Sequence, residues 1–190
     1  HTDETLDPEK SSLGDLAERV VASGFPHRVT ASHCVSLSMQ SPREQDRIAA
    51  LVAAANISVV ALPSSNLFLQ GRDHPQATPR GITAVHALRR AGVNVAAGWD
   101  NLQDPFNPMG RGDCFETAGL MVMAGHLLPE EALHSITNAT RVAAGLSEAG
   151  PWEGAAADLL LVRAHTVREA IAVAPADRVT IRDGVPIALS

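Results

Sequence analysis

Residues 28–63 read RVTASHCVSLSMQSPREQDRIAALVAAANISVVALP and contain a complete strand–helix–strand pattern. The runs 28–32 and 57–63 are short, apolar and β-branched, which is typical of strands covered on both faces of a parallel sheet. Between them, Ser41 is a helix N-cap, followed by Pro42 at the first helical position and Glu44 at the third, as in a capping box. Residues 28–63 therefore predict a right-handed parallel βαβ unit.

The same alternation continues on both sides of this unit. A helical pattern over 8–23 ends at Gly24, and a second over 79–91 ends at Gly92 before an apolar strand at 93–98. With one more strand expected just upstream of His1, the strands number four, which is half of an eight-stranded barrel. The predicted fold class is α/β, the C-terminal half of a (β/α)8 TIM barrel.

The pattern changes after Asp100. A loop rich in Pro, Gly and Asn at 101–112 precedes predicted helices at 113–127 and 129–144, a strand at 159–162 and a short helix at 166–171. The end alternates over 178–187, with Asp183-Gly184 as a hairpin turn. We expect residues 1–150 to form the barrel half and residues 151–190 to contribute strands to a small β-sandwich domain.

The composition narrows the classes of partner. The chain has 190 residues, 45% of them hydrophobic, and a formal net charge of -6, which argues against nucleic acid and anionic membrane surfaces as partners. No apolar run approaches the ~20 residues of a membrane span. Two cysteines do not make a disulfide scaffold and favour a cytoplasmic location. The expected partner is a small molecule, and homo-oligomerisation stays open.

Three side chains fall at the C-terminal ends of strands or predicted strands: His1, His33 and Asp100. In a βα barrel these ends converge on one face, where the active site lies. Alone, each residue is more typical of a structural or turn position, but their joint placement favours a metal site. Two imidazoles and a carboxylate suit Zn²⁺ or Fe²⁺, and Glu4 is placed to move a proton.

Several motifs carry a family resemblance. They are HTDET (1–5), ASHC (31–34), NLFLQGR (66–72), GWDNLQDPFNPMG (98–110) and GAAADLLLV (154–162). The sequence resembles the amidohydrolase superfamily and is most similar to the cytosine deaminase family, which includes N-isopropylammelide isopropyl amidohydrolase. The resemblance covers all 190 residues, as the C-terminal half of the family's chain.

The resemblance implies roles for the residues at the strand ends. His1 and Asp100 would bind one divalent metal ion, zinc or iron, and Asp100 would also take a proton from water. Glu4 would be the acid/base that also touches the substrate ring. His33 would orient or polarise the attacking hydroxide. The catalytic residues implied are therefore Glu4, His33 and Asp100.

The resemblance also implies substrate contacts at Gln70, Asn101 and Phe106. Gln70 lies in the family's loop after the seventh strand, and Phe106 stands where the family often has an aromatic residue, with loop packing as the alternative. Asn101 stands where bacterial cytosine deaminases commonly have a second aspartate. An amide cannot accept a proton as a carboxylate does, so this residue favours another ring amine or an N-alkyl amide.

The family's first-strand His-x-His pair and its substrate-binding glutamine are not found in these residues, so the metal site in this chain is expected to be incomplete. The leading hypothesis is a metal-dependent, cytosine deaminase-like hydrolase that removes an amine from a pyrimidine or triazine by metal-hydroxide attack on a ring carbon. One alternative is an amidohydrolase acting on a cyclic amide or carbamoyl group. The other is an inactive fragment, which as an isolated chain would associate through open sheet edges.

Overall fold

A computed structural model of the chain describes residues 1–187, so the last three residues of the predicted small domain lie outside the described part. The fold is a mixed α/β arrangement with two three-stranded sheets. The strands are β1 (Val29–Ser32), β2 (Ile57–Ala61), β3 (Val95–Ala97), β4 (Leu159–Val162), β5 (Arg178–Arg182) and β6 (Val185–Ile187). The helices are α1 (Leu13–Ser23), α2 (Pro42–Ala54), α3 (Pro63–Leu69), α4 (Val85–Arg90), α5 (Cys114–Met123), α6 (Pro129–Ile136), α7 (Asn138–Ala143) and α8 (Val167–Val173), with a 3₁₀ turn at Val35–Met39.

The first sheet is parallel, in the order β1-β2-β3, as the alternation of strands and helices predicts. A further parallel bridge joins Thr2 to His33, and the Thr2 amide donates to the Ser32 carbonyl at 3.1 Å. The segment that contains His1 therefore lies beside the carboxyl end of β1. This bridge brings the chain's first residues to the same sheet edge as His33.

A single apolar core fixes this sheet. Strand β2 is buried along almost its whole length, as a central strand covered on both faces should be. Leu13 of α1, Val52 of α2, Leu88 of α4 and Met121 of α5 are fully buried and join Val59 of β2 in the same cluster. Because helices from both halves of the chain share this core, the positions of the strand ends are tightly constrained.

Local signals place the helix ends where the sequence predicts them. Gly24 ends α1 in the left-handed conformation, at φ 58°. The Ser41 side chain accepts the Glu44 backbone amide at 3.3 Å, and Pro42 occupies the first turn of α2. The Glu44 carboxylate, however, binds Arg47 at 2.7 Å, so only the serine half of the capping box forms.

Several elements differ from the sequence prediction. The helix predicted over 8–23 begins only at Leu13, and the helix predicted over 113–127 ends at Met123. The strand predicted over 57–63 ends at Ala61, and Pro63 begins helix α3 instead of closing a strand. The helix predicted over 79–91 is regular only over α4, because Gly81 has a φ of +69° and its Cα lies so close to Gln70 that a Cβ would stand 2.5 Å from the Gln70 Cβ. The helix predicted over 129–144 breaks at Thr137 into α6 and α7.

The second sheet is antiparallel, in the order β4-β5-β6, with Asp183 and Gly184 both at positive φ in the predicted hairpin turn. It is tied to the first part of the fold by Arg178, which donates to both oxygens of Asp113 at 3.0 and 2.7 Å. The Arg178 guanidinium also lies 4.7 Å from the centre of the Phe115 ring. Within residues 1–187, no helix is long and apolar enough to cross a membrane.

Candidate active site

His1, Glu4 and His33 form a cluster at the carboxyl end of β1. The Glu4 carboxylate bridges the two imidazoles, with Oε2 3.2 Å from His1 Nδ1 and Oε1 3.4 Å from His33 Nδ1. The ring centres of the two histidines are 4.4 Å apart. One potential ligand atom from each residue lies within 4.8 Å of the other two. The structure therefore brings together His1 and His33, two of the three side chains that the sequence places at strand ends, with Glu4, the residue predicted to move a proton.

Asp3, between His1 and Glu4 in the sequence, holds this segment in place through both its carboxylate and its backbone carbonyl. Its carboxylate accepts the Ser12 amide at 2.8 Å, the Ser12 hydroxyl at 2.6 Å and the Leu13 amide at 2.9 Å, so it caps the start of α1. Its carbonyl accepts the amides of Val35 and Ser36, which follow His33. The segment that carries His1 and Glu4 is thus fixed to both α1 and the turn after β1.

The His33 ring is fully buried and only partly satisfied. Its Nδ1 lies 3.3 Å from Oδ1 of Asn66, which is also fully buried. Within the described residues, neither His33 Nε2 nor Asn66 Nδ2 has a hydrogen-bond partner. Buried polar atoms rarely stay unpaired, and such pairs of orphaned atoms mark places where a ligand, ion or water supplies the missing contact. The backbone of His33, at φ 69°, lies in the left-handed region that residues other than glycine adopt uncommonly.

Asp100 lies apart from this cluster in the structure. It follows β3, which is separated from β1 by β2, and it is exposed, with a φ of 72°. Among residues 1–187, its carboxylate does not belong to the group of ligand atoms formed by His1, Glu4 and His33. His33 and Asp100 nevertheless follow the carboxyl ends of β1 and β3, and the Thr2–His33 bridge holds His1 and Glu4 beside the end of β1, at the same edge of the sheet.

The loop after Asp100 is organised by side-chain hydrogen bonds. Asn101 Nδ2 donates to Asp104 Oδ2 at 2.7 Å, and the Ser65 hydroxyl both accepts the Asn101 amide at 3.0 Å and lies 3.3 Å from Asn101 Oδ1. Asp104 Oδ1 accepts the backbone amides of Phe106 and Asn107, each at 2.9 Å. These bonds, first of all the one from Asn101, lower the pKa of Asp104 below its ordinary value.

The remaining predicted substrate contacts have different settings. The Gln70 side chain donates to the carbonyl of Glu4 at 3.4 Å, so it adjoins the cluster through the backbone. Phe106 is 58% exposed at the tip of the loop, which leaves its ring free to meet a ligand and excludes packing in the core. Gln70 thus supports the residue predicted to carry a proton, and Phe106 is presented to solvent.

Sequence reasoning missed Ser65 and Asn66, two of the three buried polar residues in the first turns of α3. Ser65 holds Asn101 and Asn66 holds His33, so α3 joins the end of β1 to the loop after β3. A signal was available in the run Ser64-Ser65-Asn66, which directly follows the apolar strand β2. Polar side chains at that point of a parallel strand face the same edge as the other candidates.

The fold and the site together define the class of protein. It is an α/β protein whose candidate site, made of imidazole and carboxylate side chains, lies at the carboxyl edge of a parallel sheet. Sequence comparison gives the family: a model of the amidohydrolase family matches residues 1–188, and the chain belongs to that family. The family predicted from the motifs is confirmed.

Known relatives narrow the comparison. A pterin deaminase from Rhizobium rhizogenes is 38% identical, over 97% of this chain and 43% of its own length. The crystal structure of a 5-methylcytosine deaminase from Klebsiella pneumoniae with 5-fluorocytosine superposes with a TM-score of 0.88 at 30% identity, over 100% of this chain and 47% of that one. N-isopropylammelide isopropylaminohydrolase from Burkholderia multivorans gives 0.77 at 32% identity, over 93% and 43%. This chain therefore spans just under half the length of the relatives that it matches.

Proposed function

We propose that the complete protein is a divalent-metal-dependent aminohydrolase that removes an amine from a nitrogen heterocycle. The observation that carries this proposal is the cluster of His1, Glu4 and His33, with a buried imidazole nitrogen that has no partner within the described residues. Three relatives at 30% identity or more are named for release of an amine, from a pterin, a methylated cytosine and N-isopropylammelide. A pterin therefore joins the pyrimidines and triazines as a candidate substrate.

We also propose an architecture for this chain from the order of its strands. Residues 1–150 would be the C-terminal half of a (β/α)8 barrel, and residues 151–190 would contribute to a small β-sandwich. The supporting observations are the parallel order β1-β2-β3 with intervening helices and the antiparallel β4-β5-β6 sheet. The 5-methylcytosine deaminase superposes over the whole of this chain, which supports a shared fold.

The donor set suits the metal that the proposal requires. Imidazole nitrogen and carboxylate oxygen are ligands that zinc and ferrous iron both accept. His1 and Asp100 would hold the ion, and the unpartnered Nε2 of His33 would face the same site. When bound, a divalent ion of this kind lowers the pKa of water and so supplies a nucleophile near neutral pH.

The chain's own residues would handle the protons. Water adds to the ring carbon that bears the amine, and Asp100 takes one proton from it. Glu4, in its acid form, donates a proton to the ring nitrogen. Asp100 then passes its proton to the amine and Glu4 recovers a proton from the added hydroxyl as the ring carbonyl forms, so that the C–N bond breaks and ammonia or an alkylamine leaves. Glu4 is well placed for this work because its carboxylate contacts both imidazoles and its backbone carbonyl is held by Gln70.

The test is Glu4→Gln in the complete protein, with Glu9→Gln as the matched control because Glu9 is exposed and does not belong to the group of potential ligand atoms in the described part of the chain. Loss of a general acid should lower kcat by about 10²-fold or more. The control should stay close to the wild type, and both variants should retain their melting temperature. A Glu4→Gln enzyme with unchanged kcat would overturn the role proposed for Glu4.

A second enzymatic reading, hydrolysis of a cyclic amide or carbamoyl group, uses the same kind of site. The three named relatives favour amine release. The two reactions differ in their products, because ring opening generates a new carboxylate and releases no ammonia from an exocyclic amine. Mass analysis of the products formed from triazines and hydantoins separates them directly.

A further inference from the structure

The Asn101 amide is engaged inside the protein at both ends. Its oxygen faces the Ser65 hydroxyl at 3.3 Å, and its nitrogen donates to the Asp104 carboxylate at 2.7 Å. The backbone of Asn101 is held as well, because its N–H donates to Ser65 Oγ at 3.0 Å and its carbonyl accepts from Asn107 Nδ2 at 3.2 Å. Ser65 is itself fully buried, so the anchor is rigid.

Asp104 connects the anchored Asn101 side chain to the backbone at the tip of the loop. One carboxylate oxygen accepts from Asn101, and the other accepts the backbone amides of Phe106 and Asn107. Reciprocal backbone bonds between Asp104 and Asn107, at 3.1 and 3.2 Å, close a tight turn with Pro105 at its second position. Aspartate at the first position and proline at the second are the residues that such a turn favours.

We infer that Asn101 is a positioning residue: together with Ser65 and Asp104 it locks the loop 101–110, and it influences the choice of ring through the placement of Phe106 rather than through a bond of its own to the substrate. The effect of Asn101 on the choice of ring rests on the function proposed above. The locking of loop 101–110 by its hydrogen bonds does not.

The donor and acceptor roles explain why an amide suits this position. Residue 101 must accept from Ser65 at one end and donate to a carboxylate at the other, and asparagine alone of the Asp/Asn pair can do both. Aspartate at 101 would face the Asp104 carboxylate at hydrogen-bond distance and repel it. Asparagine at 101 and aspartate at 104 therefore form one matched pair.

This pairing leads to a swap experiment. In the complete protein, Asn101→Asp alone places two carboxylates together, whereas the double variant Asn101→Asp, Asp104→Asn restores a donor–acceptor pair with its polarity reversed. The amide at 104 can still offer its oxygen to the amides of Phe106 and Asn107. Asn56→Asp is the matched control, because Asn56 is exposed and its left-handed backbone, at φ 51°, tolerates either residue.

Two readouts follow the loop without any need for activity. The first is hydrogen exchange of the segment 101–110. The second is the fluorescence of Trp99, whose ring packs so closely on Gly110 that a Cβ there would stand 2.1 Å from it. Trp152→Phe removes the other tryptophan of this chain, and any tryptophan elsewhere in the complete protein is replaced in the same way.

We expect Asn101→Asp to speed exchange of the loop amides by about tenfold or more, as loss of a charged hydrogen bond would. The swap should return exchange, Trp99 emission and the KM for each accepted ring close to wild-type values. Unchanged exchange in Asn101→Asp would overturn the lock. If the double variant restores hydrogen exchange but keeps the altered KM values of Asn101→Asp, residue 101 contacts the substrate directly and the effect through Phe106 is overturned.

The failure of this inference is distinguishable from the failure of the proposed function. If the complete protein releases no amine from any ring, the proposed function falls, but exchange and fluorescence still decide whether Asn101 and Asp104 lock the loop. If amine release is found and the swap fails to restore exchange, the lock falls and the proposed function stands.

Discussion

His33 depends on Asn66 for its orientation. The two side chains are fully buried, and Asn66 Oδ1 lies 3.3 Å from His33 Nδ1, where it can fix the tautomer that leaves the lone pair on Nε2. Residues that support metal or catalytic histidines in this way commonly affect affinity or activity by about 10–100-fold. Under the proposed function, Asn66 would be a positioning residue whose removal acts through His33.

We predict that Asn66→Ala in the complete protein lowers kcat by about 10–100-fold and weakens metal retention, with a smaller effect on KM. Asn66→Asp, which keeps the acceptor oxygen, should recover part of the loss. Gln76→Ala is the control, since Gln76 is exposed. The measurements are steady-state kinetics and metal content after dialysis, and an Asn66→Ala enzyme with normal kcat and metal content would contradict this role.

The two cysteines should differ in reactivity. Cys34 is fully buried, and this burial, with the nearby Asp3 carboxylate, raises the pKa of its thiol to about 12. Cys114 is exposed. Alkylation of the native protein at pH 8, followed by peptide mass mapping, should label Cys114 and leave Cys34 unlabelled until denaturant is added. Labelling of both thiols at equal rates would show that the turn after β1 opens readily.

At this scale the sequence predicts which residues stand at strand ends, because parallel strands present their carboxyl ends at one edge. It does not predict the partners of those residues. Asn101 is the clearest case: the substrate contact that the resemblance implies for it stays a prediction, whereas its hydrogen bonds to Ser65 and Asp104 become visible only in the folded loop. The sequence does not indicate roles for Ser65 and Asn66, because a strand that ends at Pro63 would leave both in a loop. In the structure Pro63 begins α3, which directs both side chains into the protein.

Among the elements, β5 is linked to the start of α5 by the Arg178–Asp113 ion pair, and the Arg178 guanidinium also lies over the Phe115 ring. Arg178 on β5 donates two hydrogen bonds to Asp113, whose carboxylate also caps α5 by accepting the Phe115 amide at 3.0 Å. Both side chains are less than one-fifth exposed. A paired carboxylate in this setting contributes more than a surface ion pair, because loss of one partner leaves the other half-buried and unpaired.

We predict that Arg178→Met lowers the free energy of unfolding by about 1–3 kcal/mol. Arg182→Met on the same strand is the control, because the Arg182 side chain is 73% exposed and 4.0 Å from Asp183. Chemical denaturation of the complete protein measures both variants. Equal destabilisation by the two substitutions would show that the Arg178–Asp113 pair adds nothing specific.

The same pair gives a pH dependence with a defined sign. Hydrogen bonds from Arg178 are the largest cause that holds the pKa of Asp113 below its ordinary value. Because the folded-state pKa is lowered, the stabilisation is fully present above the unfolded value, about pH 4, and is lost as the pH falls through the folded value. The stability difference between wild type and Arg178→Met should therefore shrink below about pH 4. A difference that grows on acidification would contradict this sign.

Elements with strong local signals are confirmed by the structure, namely the end of α1 at Gly24, the start of α2 at Ser41 and the turn at Asp183-Gly184. Elements shaped by tertiary contacts differ. In the structure the helix predicted over 79–91 lacks its first turns, because Gly81 packs against Gln70. Periodicity alone could not anticipate that contact, since it joins residues eleven positions apart through their backbones and side chains.

At the scale of the whole molecule, this chain matches just under half the length of each relative. The antiparallel sheet exposes large apolar side chains, among them Leu161, Val179 and Val185, at 54%, 42% and 64%. Clusters of exposed apolar residues and open strand edges favour association.

We predict that residues 1–190 expressed alone form dimers or larger species, with sedimentation velocity as the measurement. Added detergent should disperse these species if apolar contacts hold them together, whereas added salt should not. A monomer with a cooperative thermal transition would contradict this expectation.

The central claim is that a metal ion and the cluster at the end of β1 together release an amine from a ring. The most direct test is ammonia or alkylamine release by the complete protein across pterins, pyrimidines and triazines, before and after chelation, and after reloading with zinc or iron. We predict release from at least one of these rings, its loss on chelation and its return with one divalent ion per chain. Undiminished release by metal-free protein, or no release from any ring by metal-loaded protein, would contradict the account.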